Sequence, residues 1–223
     1  MLNPDQVPCA VPAPQRPWDA RLARRLVIPL KDSWVTPNHL TTLRLALGLA
    51  AVAGIWQGTY GWSNVGALLL MVSNFLDHTD GELARISGKA TRIGHLYDLA
   101  SDAMVTILLF IAMGVSTTGS TGLNIQFPPV LLGAIAGSAI AWIFFLRMRI
   151  EEVLGKTATQ QASLAGFETE DVFYLLPLIT LCDGVGPALL AACICAPLYA
   201  VWVLIEYRGV MRQARRRRSE VTG

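Results

Sequence analysis

Four aspartates near the middle of the chain carry the clearest chemical signal in the sequence. They lie in DHTDGELARISGKATRIGHLYDLASD, residues 77–102, as two pairs, Asp77 with Asp80 and Asp98 with Asp102. Residues three or four positions apart share one face of a helix, so each pair directs its carboxylates the same way. Long apolar runs flank the stretch on both sides, so the acids are concentrated inside an otherwise apolar chain.

Divalent cations are the natural partners of such a cluster. Converging carboxylates in a partly dehydrated pocket repel one another strongly, and acids within a membrane are costly unless they are neutralised. Oxygen ligands favour Mg²⁺ or Mn²⁺ over zinc, and a pair of such ions is the usual clamp for displacement at phosphorus. In the alternative interpretation the acids only cap helices and pair with Arg85, Lys89 and Arg92, although capping needs fewer acids than these.

Small and basic residues accompany the first aspartate pair. Gly81 and Ala84 follow Asp77 and Asp80 by one helical turn, which leaves room for a flat or phosphorylated ligand to approach the helix. Arg85 adds a guanidinium group, whose planar fork matches a phosphate. The segment therefore predicts a site for a phosphorylated ligand beside the metals.

The elements that must position these residues are apolar helices. The chain is 53% hydrophobic and 15% charged, which is more apolar than soluble domains usually are. Six stretches approach the ~20 residues that a membrane-spanning helix needs, and the fifth is the shortest. They are 39–58, 61–82, 95–116, 128–148, 171–185 and 187–207. The sequence predicts an all-α membrane protein with six transmembrane helices, the second and third being antiparallel neighbours.

The basic residues predict the orientation of these helices. All 18 Lys and Arg residues lie before or at the start of the first span, between spans two and three, between spans four and five, or after the sixth. Cytoplasmic loops are enriched in Lys and Arg, so both termini and the loop at 85–92 are expected in the cytoplasm. The aspartates would then lie at the cytoplasmic face of a bacterial inner (plasma) membrane.

Three segments flank or enclose the helices. Residues 1–17 contain five prolines and predict a disordered lead, and 18–35 predict an interfacial amphipathic helix because Trp18, Leu22 and Leu26 share one face. A solvated connector is the alternative for that segment. Residues 36–208 form the six-helix domain. Residues 209–223 are a basic cytoplasmic tail, expected to be disordered next to anionic headgroups rather than bound to nucleic acid.

At this point the motif can be compared with known families. Its fixed positions are Asp77-x-x-Asp80-Gly81-x-x-Ala84-Arg85, eight further residues, then Gly94-x-x-x-Asp98-x-x-x-Asp102. This pattern resembles the signature of the CDP-alcohol phosphatidyltransferase family. The segment TPNHLTTLR at 36–44 is similar to the one that opens the first span in many members, and the six-helix layout is similar as well.

The resemblance implies a reaction of phospholipid biosynthesis. An acceptor hydroxyl attacks a CDP-linked lipid such as CDP-diacylglycerol, and CMP is released. By the same resemblance the four aspartates hold two ions, Mg²⁺ or Mn²⁺, and Asp102 also takes the acceptor's proton. The residues expected to bind the CDP-lipid are Asn38, Thr41, Gly81, Ala84, Arg85 and Thr91.

The acceptor alcohol is less well determined by the sequence. Residues 99–104, LASDAM, lack the Pro-x-x-Asp-Lys ending that resembles glycerophosphate-using members. Basic residues between spans four and five would attract a phosphorylated acceptor, whereas acids before span five would repel it, unless they only cap that helix. The candidate residues are Arg147, Arg149, Lys156, Glu168 and Asp171. We predict an unphosphorylated or amino alcohol; the alternative is a phosphorylated acceptor, as in phosphatidylinositol-phosphate or phosphatidylglycerophosphate synthases.

Two further alternatives concern assembly and function class. The stripe Gly133-x-x-x-Gly137-x-x-x-Ala141 permits close helix contact, either within the chain or across a homodimer, and the resemblance favours a dimer. A noncatalytic divalent-cation carrier could use the same carboxylates. Such a carrier would place its acids near the bilayer midplane on broken helices, so their position at one face favours an enzyme.

Overall fold

Helices account for nearly all of the chain that the structure covers. The computed structural model describes residues 25–31, 33–89, 91–118, 127–154 and 173–222, with all their side chains except those of 92, 151 and 215–222. The helices are α1 (Pro37–Trp56), α2 (Tyr60–Ser87), α3 (Arg92–Ser116), α4 (Pro129–Leu154), α5 (Leu176–Leu181) and α6 (Val185–Thr222). The described ranges contain no strand, so the all-α prediction is confirmed.

Within the described residues, four helices are long and apolar enough to cross a bilayer. These candidate spans are Pro37–Trp56, Ile93–Ser116, Pro129–Leu154 and Val185–Ala214, and they match the predicted spans one, three, four and six. Helix α2 has 28 residues, a length of about 42 Å at 1.5 Å per residue, but its C-terminal half carries the first aspartate pair. It continues to Ser87, beyond the predicted end at residue 82.

The fifth predicted span differs from the structure. A 3-10 turn at 173–175 leads into α5, which ends at Leu181, and a turn at 182–184 separates it from α6. Within that turn Asp183 has a positive φ of 52°, which ends the helix earlier than the hydropathy pattern predicted. Residues 173–181 cover about 14 Å, less than the ~30 Å hydrocarbon core. The start of the predicted span lies outside the described residues, so six spans remain a prediction.

The basic C-terminal segment also differs from its prediction. It was expected to be disordered, yet α6 runs on as a helix to Thr222. Beyond Gly209 the segment has neither proline nor glycine until the last residue, and Arg, Gln, Ala and Met all have high helix propensity. The helix therefore has no local reason to end at the membrane surface.

Only the end of the predicted interfacial helix is described. Residues 25–27 are helical and a 3-10 turn follows at Ile28–Leu30. Val27 is fully buried, whereas Leu26 and Ile28 are more than half exposed, so they are available to lipid. Trp18 and Leu22 lie outside the described residues, and the amphipathic helix stays a prediction.

Helix α1 lies between α2 and α3. It packs against both α2 and α3, while α4 packs on α3 and α6, and α5 packs on α2. Among the described residues, no Cα atom of α2 comes within 8 Å of a Cα atom of α3. The prediction that these two helices are direct neighbours is therefore wrong, because α1 is wedged between them.

The small-residue stripe of α4 is used inside the chain. A Cβ atom at Gly133 would lie 2.1 Å from the carbonyl oxygen of Phe110, and one at Gly137 would lie 2.9 Å from Cα of Ile107. Both neighbours belong to α3, so the glycines allow α3 and α4 to pack backbone to backbone. Of the two roles open for this stripe, the structure shows the intrachain contact.

Candidate active site

The N-terminal half of α1 supplies a polar stripe to the site. Thr36 caps the helix, its backbone N–H donating to Nδ1 of His39 at 3.3 Å, and Pro37 occupies the first helical position, where its missing N–H costs nothing. Asn38, Thr41 and Arg44 follow at three-residue spacing. They therefore lie near one face of the helix, and Arg44 lies about 10 Å along its axis.

Arg44 is at the centre of the aspartate cluster. Its Nη1 donates to Oδ1 of Asp77 and to Oδ1 of Asp102, and its Nη2 donates to Oδ1 of Asp98 at 2.7 Å. Nη2 also lies 3.2 Å from the backbone oxygen of Asp98. The arginine side chain is only 4% exposed, so one buried guanidinium joins carboxylates from α2 and α3.

The aspartates converge as the sequence predicted. Asp77, Asp98 and Asp102 place carboxylate oxygens within 4.8 Å of one another. Asp80 is 4% exposed and accepts a hydrogen bond of 2.9 Å from the Thr41 hydroxyl. Three of the four acids therefore meet at one point, and Asp80, which lies on the same helix as Asp77, is buried against Thr41.

The charges within the cluster do not balance. Four carboxylates face one guanidinium, and the two other described cations of this region have different partners. Arg85 donates to Glu82 at 2.7 Å, and Lys89 donates to the backbone oxygen of Ser33 at 3.0 Å. The alternative in which the aspartates pair with these two residues is therefore wrong, and the excess negative charge favours binding of further cations.

Asp102 is the most accessible of the three converging aspartates. Its side chain is 38% exposed, against 31% for Asp98 and 19% for Asp77. A cavity of about 20 Å³ lies next to it, lined by Arg44, Leu45, Ser73, Ser101, Asp102 and Val105. That volume accommodates about one water molecule, so Asp102 meets open cleft on one side and a water-sized space on the other.

The residues expected to bind the CDP-lipid are in different surroundings. At Gly81 a Cβ atom would have no atom within 4 Å, and Arg85 is 59% exposed, so both border open space. At Gly94 a Cβ atom would lie 2.8 Å from Oδ1 of Asn38, so this glycine lets the asparagine approach α3. Thr91 accepts from the backbone N–H of Gly94 at 3.0 Å.

The residues expected to bind the CDP-lipid differ in their exposure to solvent. Asn38, Arg85 and Thr91 are exposed and Ala84 is half-buried, whereas Thr41 is 3% exposed and already bonded to Asp80. Thr91 caps α3. Five of the six residues are thus exposed or half-buried, whereas Thr41 is buried against Asp80.

The acceptor-site candidates are only partly described. Arg147 donates to the Tyr199 hydroxyl at 2.7 Å, lies 3.7 Å from Glu206, and is positioned over the Tyr199 and Trp202 rings. Arg149 pairs with Glu152 at 2.6 Å. Both arginines are therefore engaged by residues of α4 or α6. Lys156, Glu168 and Asp171 lie outside the described residues.

Arg44 is the functional residue that the sequence reasoning missed. It was treated as the end of a motif segment, and the cluster was assumed to lack a cation of its own. An ionisable residue inside an apolar span is by default a functional candidate, and its three-residue spacing from Thr41 and Asn38 could have assigned it to the site.

The comparisons with known proteins agree with this geometry. A family model described as CDP-alcohol phosphatidyltransferase matches residues 34–205, a range that includes Arg44 and all four aspartates. The chain is 29% identical over 131 residues to the archaetidylinositol phosphate synthase of Methanothermobacter thermautotrophicus, covering 58% of this chain and 61% of that protein.

Two further relatives match shorter stretches. Over 107 residues the chain is 32% identical to a bifunctional IPC transferase and DIPP synthase of Aquifex aeolicus, covering 47% of this chain and 23% of that protein. Over 90 residues it is 31% identical to cholinephosphotransferase 1 of Danio rerio, covering 37% of this chain and 23% of that protein. The matched part is thus less than two thirds of each relative.

The family is one of divalent-metal-dependent transferases that act on CDP-linked alcohols in membranes. The family model covers most of the chain, and three of the four aspartates that carry the signature meet at one point. The chain belongs to the CDP-alcohol phosphatidyltransferase family.

Proposed function

We propose that this protein transfers a phosphatidyl group from a CDP-linked lipid, such as CDP-diacylglycerol, to the hydroxyl of an acceptor alcohol and releases CMP. The observation that carries this proposal is the convergence of Asp77, Asp98 and Asp102 from two helices onto one partly exposed cleft. A charged diphosphate can reach that cleft while the lipid tails stay beside the apolar helices.

The donor set of the cleft fits two divalent cations. All four side chains offer carboxylate oxygens, which suit Mg²⁺ or Mn²⁺, and together they carry three more negative charges than Arg44 balances. Asp77, Asp98 and Asp102 would hold the ions with Asp80. When bound, the ions neutralise the diphosphate and stabilise the departing CMP.

The nucleotide would enter beside the first aspartate pair. The open space at Gly81 supports this, because packing within the chain does not require glycine there. Arg85 is exposed and able to meet a phosphate, while its partner Glu82 is 3% exposed and holds the guanidinium near the cleft. Asn38 and Thr91 are exposed and Ala84 is half-buried, so all three are accessible to a nucleotide.

Asp102 would be the general base. It lies one turn deeper in the bundle than Asp98 and is the most exposed of the three acids, so an acceptor hydroxyl can approach it. The carboxylate would take the hydroxyl proton as the acceptor oxygen attacks phosphorus, a role usually worth about 10²–10⁴-fold in rate.

The acceptor we propose is an unphosphorylated or amino alcohol. Arg147 and Arg149 support this choice, because both already have partners within the protein and would have to leave them to bind a phosphate. The name of the archaeal relative favours the alternative, a phosphorylated inositol, whereas the name of the zebrafish relative refers to choline.

One assay distinguishes the acceptors. Purified protein is incubated with Mg²⁺ and CDP-diacylglycerol, and CMP release is measured with serine, free polyols, amino alcohols, glycerol 3-phosphate and inositol 1-phosphate. We expect the unphosphorylated alcohols to give the higher rates. Faster release with either phosphate would contradict the acceptor assignment, and no release with any alcohol would contradict the transferase reaction.

We further propose that the protein is a homodimer in a bacterial inner membrane, with both termini and the cleft facing the cytoplasm. The stripe of α4 is occupied by α3, so a second copy would dock elsewhere on the exposed apolar surface. Chemical cross-linking in native membranes tests the dimer, and a chain that remains monomeric at all cross-linker concentrations would contradict it.

A further inference from the structure

We propose that Arg44 is a built-in counter-ion, which occupies the acid cluster when metal is absent and competes with divalent cations for the same carboxylates. The inference rests on the proposed function, because it takes the aspartates to be metal ligands. It adds a specific role for an arginine to which the proposed reaction assigns no part.

The contacts of Arg44 coincide with the metal-ligand set. The guanidinium reaches one oxygen each of Asp77, Asp98 and Asp102, and these are the three side chains whose oxygens lie within 4.8 Å of one another. A cation bound by the triad must share these oxygens with the guanidinium or displace it. Arginine is suited to the position because its planar fork can bond several carboxylates at once.

The net charge of the cluster determines how strongly it holds the Arg44 guanidinium when divalent cations bind. With all four aspartates ionised, they and Arg44 sum to a net charge of −3 without metal, −1 with one divalent cation and +1 with two. The attraction that holds Arg44 among the acids therefore disappears as the site fills, and its guanidinium becomes available to an anion. The buried position makes this competition strong, because charges at low dielectric interact strongly.

The packing of the helices also makes Arg44 a link between α2 and α3. Helices α2 and α3 have no close backbone approach among the described residues, and repulsion between their aspartates favours separation. Arg44 extends from α1 and bonds acids on both helices. Its own backbone is held by Ser73, whose hydroxyl donates to the Arg44 carbonyl at 2.9 Å. The side chain can therefore leave the acids while the backbone stays in position.

The first test is Mn²⁺ binding by purified protein without any CDP-lipid, measured by titration calorimetry on wild type, Arg44→Gln, Arg44→Lys and Arg147→Gln. Removing a competitor tightens binding, typically by about 5–150-fold for coupled ligands, so we expect roughly tenfold tighter binding by Arg44→Gln. Lys keeps the charge but not the fork, so Arg44→Lys should lie between the two. Arg147 bridges α4 and α6 and serves as the matched control, with unchanged affinity.

The second readout is thermal stability with and without metal. In EDTA, Arg44→Gln should melt below wild type because its acids lack a counter-ion, and saturating Mn²⁺ should raise its Tm more than that of wild type. Should Arg44→Gln fail to fold, Arg44→Lys carries the same comparison. Equal or weaker Mn²⁺ binding by the folded Arg44 variants would overturn the counter-ion role alone. Absence of Mn²⁺ binding by wild type would overturn the metal site itself.

Discussion

At the scale of single residues, the four aspartates share one chemistry but have different surroundings. Asp80 is buried against Thr41, Asp77 and Asp98 contact Arg44 with limited exposure, and Asp102 is the most accessible of the triad. These differences in exposure suit different roles. A metal ligand can be shielded from solvent, whereas a general base must be accessible to the attacking hydroxyl.

Substituting Asp102 and Asp77 tests this separation. Asp102→Asn should lower CMP release by at least ~10²-fold while CDP-lipid binding remains largely intact, since the base is lost and three acids remain. Asp77→Asn should weaken Mn²⁺ and CDP-lipid binding as well. Steady-state kinetics and equilibrium binding of CDP-diacylglycerol check both, and near-normal turnover by Asp102→Asn would exclude it as the base.

A substitution at Gly81 tests the proposed CDP-lipid site, because it affects substrate binding and folding differently. A Cβ atom there meets nothing within 4 Å, so Gly81→Ala should leave stability equal or raise it by up to ~1 kcal/mol through helix propensity. The methyl group would occupy space proposed for the substrate, so KM for the CDP-lipid should rise several-fold. Gly209 is also helical and unobstructed, and Gly209→Ala is the control. Equal KM values in the two variants would argue against a nucleotide at Gly81.

Much of the site was predictable at this scale, because residue type and spacing carry it. The two aspartate pairs, their shared faces and their preference for oxygen-seeking cations followed from i+3 and i+4 periodicity. Arg44 did not follow, since its partners are 33, 54 and 58 residues away along the chain. Local sequence patterns do not specify which face of one helix packs against which face of another.

At the scale of helices, the position of α1 between α2 and α3 determines the geometry of the site. It separates α2 from α3 and contacts both. The sequence suggested that α2 and α3 pair directly, because a short connection usually joins neighbouring helices. The hydropathy pattern predicted the long apolar helices, but it contains no information on which helices pack against each other.

The close contact between α3 and α4 makes a testable prediction of stability. Gly133→Ala would place Cβ 2.1 Å from the Phe110 carbonyl oxygen, which forces the helices apart at a cost of ~1–3 kcal/mol or more. The Tm in detergent should fall by several degrees. Gly61→Ala, where a Cβ atom meets nothing within 4 Å, is the matched control and should not be destabilised. Equal Tm values would show that this contact is looser than the structure indicates.

At the scale of the whole molecule, the polar site and the larger apolar core occupy different ends of the bundle. The core contains Ile55, Ala67, Leu109 and Met113, which lie toward the C-terminal ends of α1 and α3 and the N-terminal part of α2. The described basic residues lie at or toward the opposite end. This separation is what the distribution of Lys and Arg predicted, and it would let the proposed metal site exchange ions without disturbing the core.

The native cysteines provide a test of orientation. Cys182 is exposed in the turn between α5 and α6, on the side that the positive-inside rule assigns to the cell exterior. With Cys9, Cys193 and Cys195 changed to Ser, an impermeant maleimide should label Cys182 in right-side-out vesicles. In a cysteine-free background, Lys89→Cys should be labelled only in inverted vesicles. The reverse pattern would contradict a cytoplasmic active site.

The wedge formed by α1 has a mechanical consequence. Since α2 and α3 are not packed on each other, changing the gap between their acids does not require breaking a direct interface between those two helices. The width of the cleft can therefore follow the charge inside it: repulsion opens the gap, and bound cations draw its walls together. We therefore expect α2 and α3 to shift relative to α1. The cleft would narrow around the diphosphate when bound cations offset the negative charge of the aspartates.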